Sequence, residues 1–517
     1  MVGLAGLLLL TACAPPAEPV AVASRRTGEA TNLTTPETLP STPPSTTTPS
    51  TNGPTATSTT VAVESTVPTS VAAAALSRST SAGDRRYPRL GSADIDVEQY
   101  DVALTYDAAD VSLTGRITVS GRFVNATDQI ALDTVGPRVT GVTGDDGALT
   151  FTQAGDELIV ALDAAQPAGA TFAVSVDFTS TVPTSGNFFQ RAGLFRNVDG
   201  PGVWSVNEPD GTSTWLPVND HPTDKAAWRF AVTVPEGLSA IANGGFEGTV
   251  RDDATGSSTW TWNQREPMAS YLVLLLIGAY EPSEGGRSTT GVELDNAAEP
   301  KDAGDLTAYA DVVDRQLSFF TDRFGTYPFD RYGIALADSA SGLAMETQGL
   351  PLFSQDDLDG SLGYLQHLFL AHELAHQWFG DAVSPARWDD IWLNEGWATY
   401  AEWMWLDHEG LDTLDGMAER ALAQSAQGGG PVSRPDDLFG GVAYDGGGTV
   451  LHALRLTIGD DAFFAGARAW VTDHMDSAAS TDDFQATMEA ASGRDLDDFF
   501  ATWVHAPDRP DTFPTDG

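Results

Sequence analysis

The sequence predicts an α+β protein of several domains, in which an antiparallel β-sandwich or saddle precedes a mostly helical catalytic domain with a small sheet. Between residues 87 and 282, apolar residues alternate in short stretches that Gly, Asp, Pro and Asn separate, which is typical of half-buried strands. After residue 303 the apolar residues recur at helical spacing instead. A run of strands followed by a run of helices favours the α+β class.

The first 84 residues lack the composition of a folded domain. A short apolar run, Leu4–Leu10, precedes small residues that end at Cys13, and this pattern resembles a bacterial export signal with a lipobox. We therefore interpret residues 1–12 as a lipoprotein signal peptide and Cys13 as the lipidated residue. An ordinary signal peptide that ends near a cysteine is the alternative. Residues 13–84 are rich in Thr, Ser and Pro, so we predict a disordered stalk.

The predicted β domain covers residues 85–284. Its strand-like stretches are Tyr100–Tyr106, Leu113–Phe123, Leu158–Leu162, Thr171–Phe178, Trp228–Val234 and Ser258–Trp262. The apolar run Tyr271–Ile277 is too short to cross a membrane, and we predict that it is a buried strand.

The predicted catalytic domain covers residues 285–517. Strand-like stretches at Tyr332–Ala337 and Gly349–Leu352 interrupt segments of helical spacing, which are Leu306–Phe324, Leu362–Phe379, Ile391–His408, Leu411–Ala426, Thr449–Ile458, Ala462–Met475 and Thr481–Ala491. Ser480 with Asp483 indicates a capping pair at the start of the last helix, and Gly493 marks its end.

The charge balance excludes some partners. The chain has 27 Lys and Arg residues against 72 Asp and Glu residues, a net charge of −45. Such a chain repels polyanions, so neither nucleic acid nor an anionic membrane surface is an expected partner. Because the chain contains a single cysteine, it forms no intramolecular disulfide, and no thiolate pair is present to bind zinc.

A metal-binding motif begins at His372, which with Glu373 and His376 forms the pattern H-E-x-x-H. On a helix the two histidines lie one turn apart on the same face, so both imidazoles can bind one Zn²⁺. Glu395, nineteen positions after His376, would supply an oxygen ligand and leave the fourth position for water. Glu373 is the candidate general base beside that water. Another divalent ion could occupy the same ligands.

This motif and three further segments resemble the gluzincin metallopeptidases, and in detail the aminopeptidase N-type family. Ala344-Met345-Glu346 is similar to the family's exopeptidase signature Gly-Ala-Met-Glu-Asn, and the segment from Tyr444 to Gly447 is similar to its Tyr-x-Lys-Gly. The stretch from Trp215 to Ala226 resembles a turn in the family's β domain. The likeness runs from about residue 87 to residue 503. Three positions depart from the signatures: Leu343 replaces Gly, Thr347 replaces Asn and Gly446 replaces Lys.

The resemblance implies a thermolysin-like catalytic domain with one Zn²⁺ per chain and peptide substrates that carry a free N-terminus. It implies that Glu346, together with Glu208, binds the substrate's α-amine, and that Tyr444 stabilises the oxyanion. Asn394 and Glu402 are candidates to orient a metal ligand, although Glu402 could equally be exposed to solvent. Since the chain ends near the close of the catalytic domain, we expect the large C-terminal helical domain of many relatives to be missing and the cleft to be open.

We therefore expect an exported zinc aminopeptidase that a lipid at Cys13 anchors to the outer face of a bacterial membrane. One alternative is a metalloendopeptidase of the same fold, which would cut within chains. Another is a catalytically idle surface-binding lipoprotein. The sequence leaves the oligomeric state open.

Overall fold

The computed structural model describes residues 81–184, 191–198, 200–337, 339, 342–425 and 429–515, all of which belong to one compact unit. Cys13, the predicted signal peptide and the predicted stalk as far as residue 80 lie outside the described residues. Within the described ranges, no helix has both the length and the apolar character that crossing a bilayer requires.

The N-terminal half of the described chain is built from strands. They are β1 Ile95–Asp107, β2 Ser112–Phe123, β3 Thr127–Asp133, β4 Arg138–Gly144, β5 Gly147–Ala148, β6 Phe151–Ala154, β7 Glu157–Gln166, β8 Thr171–Thr181, β9 Gly193–Arg196, β10 Val203–Val206, β11 Ala226–Pro235, β12 Ser239–Ala242, β13 Gly245–Asp252, β14 Ser257–Met268 and β15 Leu275–Gly278. Short 3₁₀ turns lie at Thr212–Thr214 and Ser270–Leu272.

These strands form three sheets. The largest has the order β13-β14-β11-β1-β2-β8-β4-β5, and smaller sheets have the orders β12-β15-β10-β9 and β3-β7-β6. The paired strands run antiparallel, as predicted, except that β1 and β11 are parallel. More than a hundred residues separate β1 from β11, which leaves ample chain for the crossover that a parallel pair needs.

The C-terminal half is mostly helical. Its helices are α1 Ala303–Leu306, α2 Ala310–Phe324, α3 Tyr364–His376, α4 Trp392–His408, α5 Leu414–Ser425, α6 Tyr444–Ile458, α7 Asp460–His474, α8 Thr481–Ser492 and α9 Asp497–Trp503. Its strands are β16 Glu281–Arg287, β17 Glu293–Ala298, β18 Arg331–Tyr332, β19 Ala335–Ala337, β20 Ala344–Met345, β21 Leu352–Ser354, β22 Val383–Pro385 and β23 Ser477–Ala479. The sheet β16-β17-β19-β21-β20 ends in the edge strand β20, and β18 pairs with β17.

The six predicted strands of the β domain all lie within observed strands, and the predicted helices correspond to observed ones with shifted ends. The capping box at Ser480 and the left-handed Gly493 are present. The prediction for Tyr271–Ile277 is wrong in its first half, where a 3₁₀ turn precedes β15. That turn is buried on every side, so its sequence shows no period that would distinguish it from a strand. Helix α9 has no predicted counterpart.

Apolar side chains of the two halves pack together in one cluster. The apolar cluster of the β domain includes Met345, Trp388 and Ala443 of the helical half. The predicted domain boundary, between residues 284 and 285, falls within strand β16.

The folded part begins before residue 85. Asp84 is 2% exposed, and its Oδ2 atom accepts a hydrogen bond of 2.7 Å from the backbone N–H of Trp388. Its Oδ1 atom accepts from the N–H groups of Arg86 and Tyr87. Residues 81–84, which the sequence assigns to the stalk, are therefore part of the fold.

A buried carboxyl group also links separate segments of the β domain by hydrogen bonds. Asp133, at the end of β3, accepts hydrogen bonds at Oδ2 from the N–H groups of Gly91 (3.0 Å) and Asp220 (2.8 Å). Burial, and then repulsion from Asp220, raise the pKa of Asp133 to about 8. Asp133 therefore carries a proton in the folded state at neutral pH, whereas in the unfolded chain it is ionised above about pH 4. Its contribution to stability is full below pH 4 and is lost as the pH rises through about 8.

Asp133→Asn should flatten this pH dependence, because the amide has the shape of a protonated carboxyl group and does not ionise. The unfolding temperatures of the metal-free variant and of the metal-free wild type are compared at pH 5 and pH 8. We expect the decrease between these pH values to be smaller for the variant, by at least about 3 °C. Circular dichroism melts at both pH values measure this. Asp128→Asn, at an exposed position of the same strand, is the control and should keep the wild-type slope. Equal slopes for Asp133→Asn and the wild type would contradict the assignment.

Candidate metal centre and peptide site

Helices α3 and α4 carry the three predicted metal ligands. His372 and His376 lie in the last turns of α3, and their ring centroids are 4.7 Å apart. Glu395 lies in the first turn of α4, and its Oε2 atom is 3.3 Å from Nε2 of His372 and 3.5 Å from Nε2 of His376. The structure therefore brings the three side chains together around one point.

The second nitrogen of each imidazole has its own partner. Nδ1 of His372 is 2.5 Å from Oε1 of Glu402, and Nδ1 of His376 is 3.1 Å from the carbonyl oxygen of Phe379. Since each partner is an acceptor, each Nδ1 carries the hydrogen and each Nε2 offers a lone pair to a metal. Two such nitrogens and one carboxylate are the donor set of a catalytic zinc site, so the residues fit zinc.

Glu373 lies beside this donor set without belonging to it. Its side chain is buried, and its Oε2 atom has no hydrogen-bond partner among the residues that the structure describes. Oxygen atoms of Glu373 and Glu346 lie within 4.8 Å of each other and of a ring nitrogen of His376. A carboxylate with an uncommitted oxygen at this place can take and return a proton.

Both predicted amine-binding residues meet at the metal centre, although they come from different halves of the chain. Glu208 follows β10 in the β domain, and Glu346 follows the edge strand β20. Carboxylate oxygens of Glu208, Glu346 and Glu395 lie within 4.8 Å of one another. Oε1 of Glu208 and Oε1 of Glu346 are buried and lack hydrogen-bond partners within the described ranges. The two acids thus form a subsite for a cationic group next to the predicted metal ligands.

The site is rich in acidic side chains. Burial raises the pKa values of Glu208, Glu346 and Glu373, because a buried carboxylate loses its hydration. Repulsion from Glu346 and Glu395 raises the pKa of Glu208 further, whereas the two imidazoles lower that of Glu373. The same imidazoles outweigh the burial of Glu395 and hold its pKa below the usual range. Cations are therefore the ligands that these side chains favour.

Tyr444 is the first residue of helix α6, and its ring lies parallel to that of His372, at 6.0 Å between centroids and 9° between planes. Burial raises the pKa of Tyr444 well above its ordinary value, and the nearby carboxylate of Glu395 raises it further. The hydroxyl group therefore stays protonated and can donate a hydrogen bond in the site.

Two glycines bring Tyr444 close to the ligands. A Cβ atom on Gly447 would lie only 2.6 Å from Cα of Gly396, the residue after Glu395, so the backbones of α6 and α4 are in contact at these glycines. At Gly446, where the family signature has lysine, the guanidinium of Arg509 lies 3.3 Å from the position of a Cβ atom. The C-terminal segment thus places a cation beside the position that departs from the signature.

The structure also settles the surroundings of the two candidate orienting residues. Glu402, for which solvent exposure was the alternative, is buried and contacts His372. Asn394 instead donates to the hydroxyl group of Tyr271 at 3.5 Å.

Gln377 is a residue of the site that sequence reasoning missed. Its Nε2 atom donates to the carbonyl of Glu346 at 3.1 Å, and its Oε1 atom accepts from the N–H of Gly349 at 2.8 Å. It therefore fixes the loop that carries Glu346. Its place four residues after Glu373, and hence on the same side of the helix, was the available signal.

A β domain joined to a helical domain with two histidines and a glutamate around one point defines a zinc metallopeptidase. The model of the peptidase family M1 domain matches residues 308–503, and that of the peptidase M1 N-terminal domain matches residues 96–272. A crystal structure of an M1 zinc metallopeptidase from Deinococcus radiodurans is 31% identical, with a TM-score of 0.77, and the match covers 84% of this chain and 99% of that one. The chain belongs to peptidase family M1.

Curated relatives agree with this assignment. Aminopeptidase N of Lactococcus lactis subsp. lactis is 27% identical over 453 residues, which cover 80% of this chain and 51% of the relative. Aminopeptidase A of Gloydius brevicauda is 30% identical over 321 residues, which cover 58% of this chain and 33% of the relative. The chain thus spans a third to a half of the length of these curated relatives. A mutant of the Deinococcus protein has been solved with a Tyr-Ser-Ala substrate, and a mutant described as a two-domain M1 zinc metallopeptidase has been solved with L-tryptophan and with L-arginine.

Glu402→Gln should weaken zinc binding by about 10- to 100-fold, because the neutral amide accepts less strongly from His372 and lowers the basicity of the opposite ring nitrogen. Competition with a chromogenic chelator measures the dissociation constant. Glu419→Gln, at an exposed position of α5, is the control and should bind zinc like the wild type. Unchanged affinity of Glu402→Gln would show that this hydrogen bond does not tune the ligand.

Proposed function

We propose that this chain is a zinc aminopeptidase, which removes residues from the free N-terminus of peptides. The observation that carries the proposal is the contact between two subsites: carboxylate oxygens of Glu208 and Glu346 lie within 4.8 Å of Glu395, a predicted metal ligand. A protonated α-amine held by the two acids places the first peptide bond next to the metal. An endopeptidase has no need of an anionic pocket at this position.

Each group near the predicted ligands has a task in this reaction. When bound, zinc supplies Lewis acidity, which polarises a peptide carbonyl and acidifies water. Glu373 takes a proton from the attacking water and returns it to the leaving nitrogen as the carbon–nitrogen bond breaks. Tyr444, which stays protonated, donates to the carbonyl oxygen as negative charge develops there. The products are an amino acid and a peptide shorter by one residue.

The substrate's backbone has a place in the same arrangement. Strand β20, which leads directly to Glu346, is an edge strand of its sheet. An extended peptide can pair with such an edge as an added strand. The α-amine would then meet Glu346 at the end of the strand, which fixes the register of the peptide relative to the ligands.

Free and N-acetylated forms of one peptide separate the aminopeptidase from the endopeptidase. We expect the wild type to cleave an unblocked tripeptide and an aminoacyl fluorogenic substrate, and to leave the acetylated tripeptide intact. Glu346→Ala should lower kcat/KM for the free tripeptide by about 10- to 100-fold, the equivalent of one charge-assisted hydrogen bond. Chromatography of the products and their mass spectra measure both.

Glu373→Ala is the control for contaminating peptidases, because it removes the base and keeps the three ligands. It should bind zinc and lose turnover of every peptide. Cleavage of acetylated and free peptides at equal rates would favour the endopeptidase. Zinc binding by the wild type without turnover of any free-amine peptide would favour the surface-binding module.

We also propose that the protein is exported and that acylation of Cys13 anchors it to the membrane. The support is the sequence alone: an apolar run followed by small residues up to a single cysteine, and then a Thr/Ser/Pro-rich segment long enough to separate the enzyme from the surface. Two acyl chains would hold the protein stably, since each buried methylene contributes about 0.8 kcal/mol.

The lipid anchor predicts that the full chain, expressed in a bacterium fed labelled palmitate, carries the label and sediments with the membrane fraction. Cys13→Ser should lose both the label and the sedimentation, because the hydroxyl group does not replace the thiol in the acyl transfer. Thr11→Ser is the matched control and should behave like the wild type. Labelled Cys13→Ser protein would rule out the proposed site.

A further inference from the structure

Residues Phe379–Ala382, which begin three positions after the last residue of helix α3, form a loop that we call the ligand loop. Its first carbonyl, that of Phe379, accepts the hydrogen bond from Nδ1 of His376. The N–H of Asp381 donates to the carbonyl of His376 at 3.0 Å, which ties the loop to the end of the helix. The orientation of one predicted metal ligand therefore depends on the position of this loop.

The other three carbonyls of the ligand loop accept hydrogen bonds from side chains of the β domain. The hydroxyl group of Tyr271 donates to the carbonyl of Gly380 at 3.1 Å. Nζ of Lys225 donates to the carbonyls of Asp381 and Ala382, at 2.5 Å and 3.0 Å. Two side chains from the neighbouring domain thus hold three successive peptide units.

The backbone at Lys225, from which the side chain extends to the ligand loop, is held in place by the β domain. It directly precedes β11, a strand in the interior of the largest sheet. The carboxylate of the preceding residue, Asp224, accepts hydrogen bonds from the N–H of Val97, at 2.9 Å, and from the side-chain amide of Asn219. Because these contacts fix the backbone at the start of the strand, the ammonium group is delivered to a defined place.

This arrangement has an energetic cost that simple packing would avoid. Burial lowers the pKa of Lys225 to about 8, because a buried ammonium loses its hydration. The chain contains only one other lysine, Lys301, whose side chain is 54% exposed. An apolar side chain of similar length would fill the same space at Lys225 without desolvating a charge, but it would remove one donor from each of two loop carbonyls, of which that of Ala382 keeps the backbone N–H of Asp476.

We propose that Lys225 is a positioning residue for the metal centre: from the β domain, it fixes the ligand loop and thereby the carbonyl that orients His376. Tyr271 assists at Gly380, a residue with a φ of +131° whose position allows the loop to turn. Tyr271 also accepts from Asn394, the neighbour of Glu395, and so connects the loop with helix α4. The proposal depends on the metal centre and is independent of the substrate.

Lys225→Met tests this, because methionine keeps most of the stem and removes the donors. We expect the zinc-loaded variant to release its metal to excess chelator about tenfold faster than the wild type, the lower end of the effect of removing support from a metal ligand. Stopped-flow absorbance measurements with a chromogenic chelator give the rate of zinc release. Lys301→Met is the matched control and should release zinc at the wild-type rate.

The zinc-free forms separate positioning from a general loss of stability. If Lys225 acts only in packing, Lys225→Met lowers the unfolding temperature of the zinc-free protein and leaves the zinc release rate unchanged, and the proposal is overturned. Should Lys225→Met fail to fold, the double variant Tyr271→Phe, Ser384→Ala, which removes both hydroxyl donors to the carbonyl of Gly380, tests the support of the same loop and must also release zinc faster. No substrate is present in either assay, so failure of the proposed peptidase activity would not affect the result.

Discussion

Two imidazole rings that lie one turn apart on a helix must present their Nε2 atoms to the same point, and the catalytic half is arranged around this requirement. A histidine side chain has two rotatable bonds, so neither ring stays in place without a partner for its other nitrogen. Glu402 of α4 supplies one partner and the carbonyl of Phe379 supplies the other. Helix α4 therefore contributes both a ligand, Glu395, and the support of a ligand, and its distance from α3 determines both.

The distance between helices in turn explains the glycines near the site. Gly396 and Gly447 let α4 and α6 approach until their backbones touch. This close approach of α6 to α4 places the ring of Tyr444 over that of His372. There the raised pKa of Tyr444 keeps its hydroxyl group protonated and able to donate a hydrogen bond. Five acidic side chains surround the two imidazoles, those of Glu208, Glu346, Glu373, Glu395 and Glu402, and such a cluster favours bound cations. Metal and substrate amine are the two cations that the chemistry of peptide hydrolysis can offer.

Much of this could be predicted from the sequence, because the motif residues are close together along the chain. Helix geometry alone places His372 and His376 together on α3, whereas Glu395, which lies on α4, was predictable only from its spacing within the zinc-hydrolase motif. The partner of His376 was not, since it is a backbone carbonyl and carries no sequence signature. The predicted start of α6, Thr449, lies five residues after the observed one, because three successive glycines disfavour a helix, and their role is visible only from the contact with α4. Exposure of Glu402 could likewise not be decided until the position of α3 was known.

The β domain contributes side chains to the candidate site and is not merely a spacer in front of it. Glu208 belongs to it, and the carboxylate of Glu208 meets that of Glu346 across the junction between the halves. The apolar cluster that contains the core of the β domain extends to Trp388 and Ala443, the residue before Tyr444. A shift of the β domain would therefore move Glu208 and the two donors to the ligand loop, Lys225 and Tyr271, relative to α3 and α4. Since these groups must agree within a fraction of an ångström for the proposed chemistry to be efficient, a continuous core across the junction is a requirement of the proposed reaction.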